Sequence, residues 1–248
     1  MHGHILCQYF KAFILNHILS LLKILSHNTP PSRLLNIMPS PSKYGITLSN
    51  GSQIVHGSGA KVKDPFTHIP VTLNELSPGL IGSRPAFRGQ SGFIEFDTTI
   101  RLPRHVHISP NMDPKEGPSL VYERIFVVGG VALVELGGQI YVIPPMSLVT
   151  IAPGVPHTWT ACPGGVNISK ITGLRGTEEI ISPGKFLMLY EYEEITGFFP
   201  TAQTETLKSA EDYVQCDDLE SIRIPSLTAQ EVEEQCFFVR DVNIMRAK

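Results

Sequence analysis

The sequence predicts an all-β chain folded as a jelly-roll sandwich, and three observations carry that prediction. Short runs rich in valine, isoleucine and aromatic residues recur from about residue 53 to residue 192. The 20 prolines and 21 glycines punctuate them, as many short strands joined by tight turns require. Gly137-Gly138 separates two such runs and is a two-residue hairpin signal. At 248 residues the chain has room for one large domain, or for one domain with appendages.

Residues 1–42 read as an extension. Between Ile5 and Leu25, the residues Leu6, Phe10, Phe13, Ile14, Ile18, Leu21 and Leu25 recur at helical spacing, which suits an amphipathic anchor. Lys11, Asn16 and Lys23 inside the run argue against a membrane span. The lack of a basic start and of a small-residue cleavage site argues against a secretory signal. A translation start at Met38 is equally compatible with these residues, and Ser26 to Ser42, rich in Pro, Ser and Asn, reads as a linker. The expectation is a cytoplasmic protein, with membrane association or secretion left open by the apolar stretch.

Residues 43–195 are expected to form the barrel. Gln53–Val55, Val71–Leu73 and Gly92–Ile100 read as strands, the last with Ile94 and Phe96 alternating against Phe93 and Glu95. A strand is expected over 100–107. Val121–Val128 and Val131–Leu136 are β-branched wall strands, and Gln139–Ile143 returns after the hairpin. Leu148–Ile151, His157–Ala161, Val166–Ile171 and Phe186–Tyr192 complete a set expected to pair antiparallel and in sequence. Ile108–Tyr122, with Pro110, Asp113-Pro114 and Gly117-Pro118, reads as a loop at the barrel mouth. Residues 196–248 are expected to form a helical appendage. It would hold a short helix at Leu207–Val214 and a second opened by the capping-box sequence Thr228-Ala229-Gln230-Glu231.

Composition excludes several function classes. With 20 basic and 23 acidic residues the chain is near neutral, so nothing points to a nucleic-acid partner or to an electrostatic hold on membranes. Cys7, Cys162, Cys216 and Cys236 lie far apart and read as reduced thiols. Dinucleotide, phosphate-loop and serine-hydrolase signatures are missing from the sequence.

Chemistry concentrates between Arg104 and Trp159. His105 and His107, two apart on an expected strand, project to one face. Glu123 opens an apolar run that ends in Gly129-Gly130, and His157 follows a Pro-Gly turn. Two imidazoles on one face, with a third histidine and a glutamate from other strands, suit a divalent transition metal. Parity puts Ile125 and Val127 on the face of Glu123, while Tyr122, Arg124 and Phe126 face away. Trp159, the single tryptophan, shares the face of His157, either as core filler or as a stacking platform for substrate.

The order of these residues resembles the two motifs of the cupin superfamily. Glu123 and Gly130 keep the spacing that ends the first motif, and Gly154 with His157 matches the core of the second. The fifteen residues between Gly130 and Met146 equal the family's short inter-motif spacing. Departures are Thr99, Met146, Ala152 and Ala161 where the motifs have Gly, Gly, Pro and Asn, and fifteen residues between His107 and Glu123 instead of three or four. Missing glycines alter turn geometry more than chemistry. The long insert leaves Asp113 and Glu116 as rivals to Glu123 for the carboxylate ligand.

The resemblance implies a double-stranded β-helix holding one divalent metal through His105, His107, Glu123 and His157. Iron(II) is favoured, and manganese, nickel, copper or zinc are compatible. It also implies a small-molecule substrate, a homodimer being common in the family. The first function implied is a non-haem dioxygenase, in a specialised pathway such as secondary metabolism. The alternatives are a metal-dependent isomerase, decarboxylase or cyclase, and a non-catalytic binding barrel. Trp159, Tyr141 and Ile125 are the pocket candidates, and Glu123, Tyr122, Tyr141 and Lys115 the candidates for proton transfer.

Overall fold

A computed structural model describes residues 45–63, 73–76, 87–110, 117–173, 179–240 and 243–247. Its strands in chain order are β1 (Ile46–Thr47), β2 (Gln53–His56), β3 (Lys61–Lys63), β4 (Leu73–Glu75), β5 (Ser91–Asp97) and β6 (His105–Val106). There follow β7 (Ile108–Ser109), β8 (Ser119–Leu120), β9 (Glu123–Gly130), β10 (Ala132–Leu136), β11 (Gln139–Ile143) and β12 (Ser147–Ile151). The last are β13 (His157–Ala161), β14 (Lys185–Tyr192), β15 (Phe199–Pro200), β16 (Phe237–Arg240) and β17 (Asn243–Met245). Two short helices interrupt them, α1 (Ile168–Thr172) and α2 (Ala229–Gln235). Among the described residues, no helix is long and apolar enough to cross a membrane.

Six strands form one sheet in the order β1-β2-β12-β9-β14-β5, and seven form the other in the order β15-β6-β13-β10-β11-β16-β17. One core joins them, with Ile125, Val127, Val149 and Phe186 from the first sheet meeting Val134, Leu136, Ile143 and Trp159 from the second. This is the all-β jelly-roll architecture that the strand pattern predicts. The expected pairing in sequence holds at β10–β11 but not at the strands that carry the site, since β9 pairs with β12 and β14, and β10 with β13. The reason is that consecutive strands change sheet. The chain crosses from β9 to β10 at Gly130, from β11 to β12 at Met146 and from β12 to β13 at Gly154. All three have positive φ, at 73°, 61° and 76°.

Met146 is the one non-glycine residue with positive φ among those described, and it stands at a glycine position of the resembled motif. A left-handed backbone costs an L-residue about 1–2 kcal/mol, whereas glycine adopts it freely at an entropic cost of about 0.5–1 kcal/mol. The Met146 side chain is 54% exposed and has little packing to lose. Met146→Gly is therefore expected to raise the unfolding free energy by about 0.5–1 kcal/mol, read from urea denaturation. A loss of stability would instead assign the side chain a packing role.

Several elements differ from expectation. Val166–Ile171 runs into α1 (Ile168–Thr172) instead of forming a strand. Asn167 caps it by accepting from Lys170 N, and Gly173 ends it in the left-handed region, so local capping overrides the β-branched run. The strand expected over 100–107 is reduced to β6 and isolated bridges at Arg101 and Pro103, Pro103 itself having no N–H to give to a ladder. The insert begins as a small ladder of β7 with β8, and residues 111–116 lie outside the described residues. Leu207–Val214 holds a single turn of 3-10 helix at Ala210–Asp212, whereas the Thr228 capping box opens α2 as expected. The segment 196–248 also supplies β15 and β16 to the larger sheet, which carries it beyond an external appendage. The 1–42 extension and Val71 lie outside the described residues.

Candidate metal centre

The larger sheet sets two histidines face to face. His105 on β6 and His157 on β13 are direct antiparallel partners, so their side chains leave the same face of neighbouring strands. His107 projects to that face two residues on, and β9, in the opposite sheet, begins with Glu123. The three imidazole centroids lie 4.4, 4.9 and 5.2 Å apart, and their ligating nitrogens all fall within 4.8 Å of one another. Glu123 Oε2 is 2.9 Å from His157 Nε2 and 3.4 Å from His107 Nε2. All four side chains are buried.

Each ring is fixed from behind. The Nδ1 of His105, His107 and His157 lies 2.8, 2.9 and 2.9 Å from the carbonyls of Pro103, Gly197 and Val155. A carbonyl can only accept, so each Nδ1 carries the proton and each Nε2 presents its lone pair to the centre. His107 Nε2, His157 Nε2 and Glu123 Oε2 are buried without a hydrogen-bond partner. Converging lone pairs with no donor among them are costly unless a cation or a proton sits between them. This donor set fits a borderline divalent metal, and the buried histidine group can hold one.

Electrostatics follow from burial. Desolvation, then the neighbouring His157 and His107, hold the His105 imidazole well below its ordinary range. Burial opposes ionisation of Glu123, but His107 and His157 outweigh it and keep the carboxyl well below the usual carboxylate range. In the metal-free fold His105 thus resists a proton that the unfolded chain takes up near pH 6.5. The unfolded state then binds more protons, and stability is lost as pH falls below about 6.5. The thermal midpoint of metal-free protein should drop between about pH 7.5 and 5.5, and His105→Asn should shrink the drop. An equal drop in that variant would place the effect elsewhere.

The other candidates separate clearly. Ile125 is fully buried beside Glu123 on the inward face of β9. Trp159 belongs to the core, 6.3 Å from Phe186 between ring centroids, with its Nε1–H lacking an acceptor. Tyr141 is engaged away from the histidines, since its hydroxyl donates to Gln139 and its ring stacks on Phe237. Tyr122 contributes backbone bonds to Glu193. Asp113, Lys115 and Glu116 lie outside the described residues; among the described residues, Glu123 is the carboxylate beside His107 and His157.

Sequence reasoning missed four contributors. Tyr192, the register partner of Glu123 on β14, packs 4.5 Å from His107 between ring centroids. Burial and the Glu123 charge push its phenol up, so it stays protonated beside the carboxylate. Its position at the end of an expected strand was the only local signal. Gly197 supplies the carbonyl behind His107, and Phe198 lies against His105 and His107; neither shows any local pattern. Arg104, next to His105, reaches Glu135 on β10 through Nε and Nη2 at 2.6 and 3.1 Å, clamping β6 from the outer face.

No protein-family model and no curated relative matches the sequence. Among solved structures, the chain is similar to a cupin 2 domain-containing protein from Halorhodospira halophila, at 18% identity and a TM-score of 0.26. That likeness covers 45% of this chain and 55% of the other, so the chain spans about half the length of that protein. It is also similar to a dTDP sugar isomerase from Desulfovibrio desulfuricans, at 15% identity, 65% and 87% coverage and a TM-score of 0.32. A third likeness is to the polyketide cyclase RemF from Streptomyces resistomycificus, at 15% identity, 68% and 96% coverage and a TM-score of 0.28.

Proposed function

We propose that the chain is a cupin-type, metal-dependent enzyme acting on a small organic molecule. The observation that carries this reading is the set of three Nε2 lone pairs, each aimed by a carbonyl behind Nδ1, that converge with the buried Glu123. His105, His107, Glu123 and His157 would hold the ion. When bound, it would supply a Lewis-acid centre and, for iron(II), one-electron chemistry. Four protein ligands would leave the ion room for a small-molecule substrate, and a non-haem dioxygenase is the favoured activity, as the resemblance to cupins implies. The chain's own part is orientation and exclusion of water. The carbonyls fix the imidazole planes, and Ile125 with the apolar core behind it keeps the inner side dry.

One observation favours a second reading, an isomerase, decarboxylase or cyclase. The Tyr192 phenol side chain, on the register partner of Glu123 and 4.5 Å from the His107 ring, is placed at the centre as a group for proton transfer. The deciding experiment is elemental analysis of protein purified from Met38 onward, with oxygen uptake followed after anaerobic iron(II) loading. About one transition metal per chain with oxygen uptake on phenolic or enediol substrates is the expected result. Metal without oxygen uptake would favour the second reading. Failure to take up metal after reconstitution would overturn both and leave a binding barrel.

A further inference from the structure

The four candidate ligands are buried, yet one side chain in contact with them reaches solvent. Phe198 is 50% exposed, and its ring centroid lies 4.5 Å from that of His105 and 5.4 Å from that of His107. A half-exposed phenylalanine forgoes much of its hydrophobic stabilisation, so packing alone gives little reason for a large apolar ring here. The backbone around it is firmly held. Upstream, Glu193 N donates to Tyr122 O, Gln90 exchanges two bonds with Thr196, and Thr196 Oγ1 donates to Ile108 O. Downstream, Phe199 and Pro200 pair with Val106 and His105, and Thr201 N donates to Arg104 O. Between these anchors Gly197 gives its carbonyl to His107. The Phe198 ring can therefore swing without breaking any of these backbone bonds.

We propose that Phe198 is the gate of the histidine centre and its specificity-determining residue. It plugs the solvent side of His105 and His107, and a substrate enters by setting a flat apolar face of its own where the ring stood. The substrate class is then a planar conjugated molecule with an oxygen donor, such as a phenol or enol, in preference to a polyhydroxylated one. The substrate class rests on the reading of the centre as a metal site; the gate does not.

Access is measured first without metal. Nε2 of a neutral histidine reacts with diethyl pyrocarbonate, and labelling of His105 and His107 is followed by peptide mass spectrometry in wild type, Phe198→Leu and Phe198→Ala. The expected result is labelling at least about tenfold faster in Phe198→Ala, with Phe198→Leu between and circular dichroism unchanged in both. Equal rates in all three would overturn the gate. Cobalt(II)-loaded wild type is then titrated with 4-nitrocatechol and with mannitol, the cobalt visible bands reporting binding. The catechol should respond at concentrations at least about tenfold lower, and an equal response would overturn the substrate class. Faster labelling in Phe198→Ala from a wild type that takes up no cobalt would keep the gate and overturn the metal reading.

Discussion

His105→Ala is expected to fold and to lose its metal. Of the three histidines, His105 is the one with no close contact to Glu123, so its removal leaves the carboxylate with His107 and His157. It also removes an imidazole that burial and two neighbouring rings keep from ionising. The metal-free variant should therefore lose no more than about 3 kcal/mol, the upper end for most single substitutions, and should lose less of its stability on acidification. Metal retention is a different matter. Loss of an outer partner of a ligand typically costs 10–100-fold in affinity, and loss of the ligand itself should exceed about 100-fold. Dialysis followed by elemental analysis should find under about a tenth of the wild-type metal content. Full occupancy would remove His105 from the ligand set.

Gly130→Ala is expected to be severely destabilising. Gly130 turns the chain from one sheet into the other with φ at 73°. A Cβ there would stand 2.0 Å from Lys185 O and 2.7 Å from Phe186 Cα, both backbone atoms of β14. Relief requires moving β14 away from β9, a ladder that also carries Tyr192 to Glu123. Left-handed strain of about 1–2 kcal/mol adds to that displacement, so a total above about 3 kcal/mol is expected, a large share of a domain's stability. Gly129→Ala is the control, since nothing lies within 4 Å of its Cβ position and its φ is not in the left-handed range. It should change stability by less than about 1 kcal/mol. Similar urea midpoints for the two variants would refute the account of the corner.

Much of the centre was legible because it depends on short-range rules. His105 and His107 share a face through strand parity, and Gly130 and Gly154 mark corners that demand left-handed backbone. Met146 shows the limit of that logic: the corner keeps its handedness after the glycine is gone. What could not be read depends on pairing across long stretches of chain. β15 finds β6 from about ninety residues away, and no periodicity in 196–200 announces it. α1 was hidden differently, because Ile168 and Ile171 look like strand residues unless Asn167 and Gly173 are read as its caps.

The return of β15 also bears on where the chain can be cut. A barrel ended at residue 195 would keep every motif residue, from His105 to His157. It would lack the Gly197 carbonyl behind His107, the Phe198 ring and the ladder on the free side of β6. Such a shortened form, whether made by a protease, a premature stop or an expression plasmid, would read as intact in any motif search. It would nonetheless hold β6 on one side only, by the His105–His157 ladder pair and the Arg104–Glu135 contact. The histidine centre is thus completed from a stretch of sequence that carries none of its ligands.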